Sequence, residues 1–179
     1  MNPAAADDVA RRARNVRLLL MDVDGVLTDG TILLSADGTE SKAFNIKDGA
    51  AIVWAQRAGL LTGLLSARPS AAAERRAFEL GITIVSLGRS DKRSAYADIL
   101  AANQLNDDQV AFMGDDLMDL PVLSRVGLSA APSDAAADVR ASVHWVSSQP
   151  SGHGAVREFA EVLLRARGRW DALVGGYSA

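Results

Sequence analysis

The residues with the clearest chemical potential are two aspartates, Asp22 and Asp24, which are separated by one valine and followed by Gly25. The apolar run over residues 18–21 precedes them and predicts a short strand buried on both faces, as in a parallel sheet. Such a strand delivers both carboxylates to the carboxyl edge of the sheet, where open α/β folds bind ligands. Two carboxylates this close repel each other unless a cation or a shared proton offsets the charge. The stretch alone is equally compatible with an acidic turn, because Asp and Gly are common turn residues.

Strand-like and helix-like segments alternate along most of the chain. Apolar runs predict further strands over residues 60–65, 82–87, 110–113, 127–130 and 143–146. Between and after them, periodic segments predict helices that end near residues 58, 80, 103 and 166. We therefore expect an α/β fold with right-handed crossovers, in which a doubly wound, mostly parallel sheet carries helices on both faces.

A β-hairpin is predicted between the first strand and the first of these helices. The turn Ala36-Asp37-Gly38 separates two strand-like runs over residues 31–35 and 39–45. Because a lone hairpin is only marginally stable in water, this one must pack on the body or on a partner chain. We predict a single domain over residues 1–179, with the hairpin over 31–45 as an insertion and 168–179 as a mobile C-terminal tail.

Composition limits the possible functions. Of the 179 residues, 49% are hydrophobic, which is enough for a sizeable core, and the net charge of −3 argues against a general nucleic-acid or membrane-surface binder. The chain has no Cys and only two His, His144 and His153, which argues against disulfides, a thiolate nucleophile and a multi-histidine metal site. No apolar run has membrane-spanning length, and residues 1–15 lack the basic-then-apolar order of a signal peptide. We expect a cytoplasmic protein.

Further polar residues stand where other predicted strands end. Ser66 follows the strand over 60–65, Lys92 opens the helix after the strand over 82–87, and Asp115 follows the strand over 110–113. All of them should meet Asp22 and Asp24 at one edge of the sheet. Asp22 and Asp115 offer the hard oxygens that Mg²⁺ prefers, while Asp24 can contribute its backbone carbonyl and keep its carboxyl group for proton transfer. Ser66 and Lys92 suit a phosphate, and an Asp carboxylate can serve as nucleophile in phosphoryl transfer.

These residues resemble the haloacid dehalogenase superfamily of phosphotransferases. Asp22-Val23-Asp24-Gly25-Val26 is similar to its first motif, Ser66 to its second, Lys92 to its third, and Gly114-Asp115-Asp116 with Asp119 to its fourth. Within the superfamily the chain most resembles the 3-deoxy-D-manno-octulosonate 8-phosphate phosphatases, and the matching segments are residues 22–30, 42–45, 48–49, 114–117 and 154–158. The resemblance implies Mg²⁺-dependent hydrolysis of a phosphorylated sugar acid through an aspartyl-phosphate, on a Rossmann-type three-layer fold without a large cap domain.

The resemblance also implies residues around the substrate and a quaternary structure. It places Asn45, Lys47, Asp48 and Gly49 at the site entrance, although the same residues could form a plain junction between hairpin and helix. It implies a homotetramer in which the hairpins of four subunits meet and neighbouring chains help to close each site.

Four other charged residues near the motifs carry two interpretations each. Arg68 and Arg76 either reach the substrate or form surface ion pairs. Asp116 and Asp119 either cap the following helix or hold Lys92 and the metal's water ligands from outside.

Some positions depart from the family pattern and leave alternatives open. Ser66-Ala67-Arg68 replaces the commoner Thr-Gly-Arg, Val53 stands where relatives often carry Arg, and His153 stands in a loop where they often have Gly-Arg-Gly. A sialic-acid-type 9-phosphate is therefore an alternative substrate. A non-catalytic regulatory member of the fold and a phosphate-sensing receiver are alternatives of another class. Intact Asp22, Asp24, Lys92 and Asp115 argue against the first, and the adjacency of Asp22 and Asp24 argues against the second.

Overall fold

The computed structural model describes residues 3–177 and contains eight strands. They are β1 (Leu18–Met21), β2 (Leu33–Leu34), β3 (Glu40–Ser41), β4 (Leu61–Leu65), β5 (Ile84–Ser86), β6 (Val110–Met113), β7 (Leu128–Ala131) and β8 (Trp145–Val146). Six of them form one sheet in the order β5-β4-β1-β6-β7-β8, and every neighbouring pair in it is parallel. The chain first builds outward from β1 on one side and then on the other, which is the predicted doubly wound topology.

Within residues 3–177, eight α-helices connect or cover these strands. They are α1 (Pro3–Asn15), α2 (Ile46–Arg57), α3 (Ala71–Leu80), α4 (Lys92–Asn103), α5 (Leu120–Leu123), α6 (Ala137–Ser142), α7 (Ala155–Ala166) and α8 (Trp170–Gly175). Several of their ends follow local sequence signals. Ser70 caps α3 by accepting a hydrogen bond from the Ala73 N–H, and Gly81 ends the same helix in a left-handed conformation. No helix among residues 3–177 is both long enough and apolar enough to cross a membrane.

Alternation along the central strands divides the core into two layers. Leu19 and Met21 of β1 pack with α1, α2, α3 and α7 on one face of the sheet. Leu18 and Leu20 pack with α4, α5 and α6 on the other face. Because both faces are covered, all four residues of β1 are fully buried and the strand is a continuous apolar run. The carboxyl edge of the sheet is where this apolar sequence gives way to polar side chains.

The predicted hairpin is present, but its paired part is short. Leu33 pairs with Ser41 and Leu34 with Glu40, in antiparallel register. Leu33 and Leu34 are 58% and 72% exposed, so both apolar side chains of β2 reach the surface of this chain.

Within the predicted mobile tail over residues 168–179, the structure contains a further helix. Residues Trp170–Gly175 form α8, and the Trp170 ring lies 6.1 Å from that of Trp54 on α2. The Trp54 indole N–H donates to the Tyr177 hydroxyl at 3.0 Å. No residue of α8 is fully buried, so these aromatic contacts hold the helix at the surface, and they were not visible as a local sequence pattern. Ser178 and Ala179, the end of the expected tail, lie outside the described residues.

Candidate functional site

A cleft of about 290 Å³ opens at the carboxyl edge of the sheet. Its lining combines all four predicted motif segments with residues from the turn that follows β1. The lining residues are Asp22, Asp24, Gly25, Gly30, Ser66, Ala67, Arg68, Lys92, Asp115, Asp116, Met118 and Asp119. The parallel sheet brings these groups together because β1, β4 and β6 are neighbours that end at the same edge.

Asp22 is fixed at the end of β1 by hydrogen bonds to its backbone and to both carboxylate oxygens. Its backbone N–H donates to the Met113 carbonyl at 3.0 Å, which continues the pairing of β1 with β6. Oδ1 accepts from the Val23 N–H at 2.7 Å, and Oδ2 lies 2.8 Å from Lys92 Nζ. The residue is only 7% exposed, so one orientation of the carboxylate is strongly favoured.

Lys92 and Asp119 form a buried ion pair behind Asp22. Lys92 is the first residue of α4, and its Nζ lies 2.6 Å from Asp119 Oδ1. The other oxygen of Asp119 accepts from the backbone N–H groups of Asp115 and Asp116, at 2.9 and 3.3 Å. Asp119 therefore ties the loop after β6 to the lysine, which matches one of its two predicted roles geometrically.

The crowding of buried charges shifts the pKa values of the site. Burial, followed by repulsion from Asp119, raises the pKa of Asp22 to about 6. Burial, followed by repulsion from Asp22, raises the pKa of Asp115 to about 8. Burial would lower the pKa of Lys92, but Asp22 and Asp119 together raise it above its ordinary value. Both acids would therefore ionise more readily if a further positive charge were present.

The donor set fits a hard divalent cation. Asp22, Asp115 and Asp119 each offer a carboxylate oxygen, and the three oxygens lie within 4.8 Å of one another. Mg²⁺ binds to a few protein oxygens and fills its other ligand positions with water and phosphate, and this cleft has room for both. Asp119 is more buried than Asp22, at 1% against 7% exposed, and its oxygens accept from Lys92 and from two backbone N–H groups. Asp22 and Asp115 are therefore the better direct ligands.

Asp24 leads into a tight turn that approaches the loop after β6. The backbone N–H groups of Val26, Leu27 and Thr28 all point to the Val23 carbonyl. Gly25 adopts φ +80°, and a Cβ atom placed on it would overlap the Asp115 carboxylate. The glycine thus allows two acid-bearing loops to touch.

Ser66 and Arg68 lie together after β4. Ser66 is 3% exposed, and its Oγ accepts from the Arg68 N–H at 3.3 Å. The guanidinium of Arg68 is half-exposed and lies 2.6 Å from Glu40 of the hairpin. Both residues line the cleft, although Arg68 already has an ion-pair partner in this chain.

The remaining predicted substrate residues lie outside this lining. Asn45, Gly49 and Arg76 lie in a separate recess lined by α2 and α3, where the Arg76 guanidinium packs over Gly49 so closely that a Cβ atom would not fit. Lys47 is exposed beside His153 in a second depression. Within this chain, then, Arg68 is the one predicted substrate residue that reaches the cleft.

Asp48 takes a place different from the entrance position that the resemblance implied. It is 1% exposed, and its two oxygens accept from the Gly154 N–H at 3.2 Å and the Arg157 N–H at 2.7 Å. These N–H groups lie at the start of α7, where a helix offers donors without partners of its own, so Asp48 binds that helix to α2.

Asp116 is exposed, and its side chain accepts from the Leu117 N–H at 2.8 Å, which caps the short 3-10 turn Leu117–Asp119. Capping was one of its two predicted roles.

One charged contact of the site was not predicted from the sequence. Lys42 follows β3, and its Nζ is bonded to Asp24 Oδ1. The alternation of Glu40, Lys42 and Phe44 was a usable signal, because it puts Glu40 and Lys42 on one side of the strand. Which group that side faces depends on how the hairpin folds back, which local sequence does not specify.

The contact at Gly25 yields a test of the metal site. Gly25→Ala should abolish the rise in melting temperature that Mg²⁺ produces, because the new methyl group displaces the Asp115 carboxylate. The measurement is thermal unfolding with and without Mg²⁺.

Gly38→Ala is the matched control. Gly38 has a similar φ of +86°, but nothing lies within 4 Å of the position that a Cβ atom would take there. Both variants should lose about 1–2 kcal/mol from the left-handed backbone, and only Gly25→Ala should lose the response to Mg²⁺. Equal responses in the two variants would contradict a metal site at Asp115.

Comparison with known proteins identifies the family. Residues 81–159 match the family of haloacid dehalogenase-like hydrolases. The chain is 42% identical over 170 residues to the 3-deoxy-D-manno-octulosonate 8-phosphate phosphatase of Yersinia pestis, covering 95% of this chain and 91% of that protein. The corresponding protein of Escherichia coli K12 is 40% identical over 173 residues, covering 97% and 92% of the two chains.

Solved structures agree with the sequence matches. A probable phosphatase from Pseudomonas syringae superposes with a TM-score of 0.95 at 43% identity, covering 97% of this chain and 98% of that one. The 3-deoxy-D-manno-octulosonate 8-phosphate phosphatase of Moraxella catarrhalis, in complex with magnesium, phosphate and the sugar acid, superposes with a TM-score of 0.94 at 32% identity, covering 96% and 98%. With similarity of this extent in both sequence and structure, the chain belongs to the 3-deoxy-D-manno-octulosonate 8-phosphate phosphatase family of haloacid dehalogenase-like hydrolases.

Proposed function

We propose that this chain hydrolyses 3-deoxy-D-manno-octulosonate 8-phosphate to the free sugar acid and phosphate, with Mg²⁺ as cofactor. The observation that carries the proposal is the meeting of Asp22, Asp24, Ser66, Lys92 and Asp115 in one cleft. A relative of the same fold holds magnesium, phosphate and the sugar acid. A purely regulatory role would not require all five of these groups to be retained together.

Asp22 is the proposed nucleophile. One of its carboxylate oxygens forms a bond to phosphorus while the bond from phosphorus to the sugar oxygen breaks, which gives an aspartyl-phosphate. Water then attacks the phosphorus, phosphate leaves, and the carboxylate of Asp22 is restored. Its hydrogen bonds to the Val23 N–H and to Lys92 hold the carboxylate in place for both steps.

Asp24 is the proposed acid and base. Its carboxyl group gives a proton to the departing sugar oxygen and later takes one from the attacking water. It lines the same cleft as Asp22 and lies two residues further along the chain, beyond the end of β1. Proton transfer needs this proximity, and the tight turn after Val23 provides it.

Asp22, Asp115 and the backbone carbonyl of Asp24 would hold Mg²⁺. When bound, the ion would neutralise the phosphate and stabilise charge in an in-line displacement. Ser66 can donate its hydroxyl to a phosphate oxygen, and Lys92 adds a buried positive charge beside Asp22. Asp119, and more peripherally Asp116, would support these groups from the loop after β6.

Recognition of the sugar would begin at Arg68, which lines the cleft. Asn45, Lys47, Gly49 and Arg76 lie near the base of the hairpin, and we propose that they contribute where subunits meet. Asp48 would act through α7, because both its oxygens already bind backbone N–H groups.

We also propose a homotetramer in the cytoplasm. The support is the exposure of large apolar residues in and next to the hairpin: Leu33 and Leu34 of β2 are 58% and 72% exposed, and Ile46 at the start of α2 is 80% exposed. Large exposed apolar patches mark contacts between proteins.

The first prediction concerns activity and substrate. Phosphate release from the octulosonate 8-phosphate should require Mg²⁺ and stop with a chelator, and it should exceed release from sialic-acid-type 9-phosphates. The measurement is initial rates across a panel of both substrate types.

Each outcome of the panel is informative. Faster release from the nine-carbon 9-phosphates would support the same mechanism with a different substrate, which would fit the departures at Val53 and His153. No release from any ester, with Mg²⁺ binding demonstrated, would reject the proposed activity in favour of a non-catalytic role.

The second prediction concerns the covalent intermediate. Asp24→Asn should lower kcat by about 10²–10⁴-fold, because the leaving group and the attacking water both lose their proton-transfer partner. With an aryl phosphate, whose leaving group needs little protonation, phosphorylated protein should accumulate and be detectable by mass spectrometry. Asp22→Asn is the control and should give no phosphorylated protein; turnover that survives Asp24→Asn unchanged would refute the role of Asp24.

The third prediction concerns assembly. Leu34→Glu should reduce the mass in solution below that of a tetramer, because it places a charge in an apolar contact. Phe78→Glu is the control, since Phe78 is 79% exposed and belongs to α3, not to the hairpin. Light scattering measures the mass, and a tetramer that persists in Leu34→Glu would count against assembly through the hairpin.

A further inference from the structure

The two oxygens of Asp24 have different environments. Oδ1 is bonded to Lys42 of the hairpin, whereas Oδ2 is buried and has no hydrogen-bond partner among residues 3–177. A buried carboxylate oxygen without a partner is unusual and costs free energy. Asp24 lines the cleft and its Oδ1 is already bonded to Lys42, so Oδ2 is the carboxylate oxygen left without a partner for proton exchange.

Lys42 is positioned as a buried cation. Its side chain is 0% exposed, and its Nζ contacts Asp24 and lies 3.1 Å from Glu40 Oε1. A buried ammonium group requires charged or polar partners, so these two carboxylates confine it. The contact between Lys42 and Asp24 is therefore held in one geometry, unlike an ion pair between mobile surface side chains.

Glu40 is in turn held by residues that follow β4 of the main sheet. Arg68 lies 2.6 Å from Glu40 Oε2, and the Ser70 hydroxyl donates to Oε1 at 3.2 Å. Ser70 also caps α3 through the Ala73 N–H at 3.3 Å. A continuous set of bonds thus runs from the start of α3 through Glu40 and Lys42 to Asp24.

We propose that Lys42 is a positioning residue for the reaction: from the hairpin, it holds Asp24 by one oxygen so that the other faces the leaving group and the attacking water. Glu40, fixed by Arg68 and Ser70, sets the position of Lys42. The hairpin therefore contributes to proton transfer inside its own subunit, besides presenting an apolar surface outside. This inference rests on the proposed phosphatase activity.

The absence of Cys from the sequence permits a precise test. Lys42→Cys removes the amine and introduces a unique thiol, which can be alkylated with bromoethylamine in the unfolded chain before refolding. The product restores a side chain of nearly the same length and charge. Alkylation with iodoacetamide gives the neutral control of similar bulk.

Single-turnover rates with two leaving groups distinguish positioning from simple structural support. Lys42→Cys should slow phosphoryl transfer from the octulosonate 8-phosphate by about tenfold to a hundredfold, because an alkoxide must be protonated as it leaves. Transfer from p-nitrophenyl phosphate should change little, and KM should be nearly unchanged for both. The aminoethylated protein should regain most of the rate, and the neutral adduct should not.

The contrary results are equally defined. Equal slowing with both leaving groups, no slowing, or equal recovery with the charged and neutral adducts would overturn the proposal. If Lys42→Cys does not fold, Glu40→Gln carries the same test, because it loosens Lys42 while leaving the amine in place. Glu40→Gln should slow transfer from the octulosonate ester more than transfer from p-nitrophenyl phosphate, to a smaller extent than Lys42→Cys. If Glu40→Gln slows both reactions equally or neither, the proposal is rejected.

Wild-type and Arg75→Met proteins complete the design. Arg75 forms an exposed pair with Glu79 at 3.0 Å on α3 and should retain wild-type rates when substituted. A wild-type protein without activity on the octulosonate ester would reject the proposed function itself, which keeps that failure separate from failure of the role of Lys42.

Discussion

The structure depends on the concentration of buried charge at one edge of the sheet. Asp22, Asp115 and Asp119 bring three carboxylates together, and Lys92 supplies a cation that bonds to two of them. Burial and mutual repulsion raise the pKa of Asp115 to about 8 and that of Asp22 to about 6. The arrangement is short of positive charge, and a divalent cation offsets that deficit. Repulsion among the buried carboxylates weakens the fold, and a bound cation relieves it, so the same repulsion favours metal binding.

Such a site requires a rigid frame, and the frame is apolar. β1 lies between β4 and β6 and is fully buried on both faces, so the chain directly before Asp22 has little freedom to move. The polar groups occur just beyond the strands, where backbone N–H groups become available to bind carboxylates. Asp119 uses two such N–H groups while its other oxygen holds Lys92, which joins the loop after β6 to α4. Orientation of the acids therefore comes from main-chain bonds as much as from side-chain pairing.

The two strands of the hairpin differ in chemistry. β2 consists of Leu33 and Leu34, which are both exposed in this chain. On the other strand, Glu40 and Lys42 bond to Arg68 and Asp24 at the cleft. Glu40 and Lys42 lie on the same side of their strand because successive side chains point in opposite directions. A short insertion thus carries both exposed apolar residues and charges that reach the cleft.

The sequence by itself determined the main sheet, the helices α2, α3, α4 and α7, and the acid cluster. Residues 18–21 and 110–113 were predicted as strands with the bounds that β1 and β6 have, and Asp22, Asp24, Ser66, Lys92 and Asp115 were expected together and lie in one cleft. These predictions succeed because burial periodicity is local and because parallel strands must end at a common edge. Tertiary structure alone decided the contact of Lys42 with Asp24, the binding of α7 by Asp48 and the docking of α8 on Trp54. Each joins segments far apart in the chain or depends on how an insertion folds back, and a local pattern carries no information about such distances.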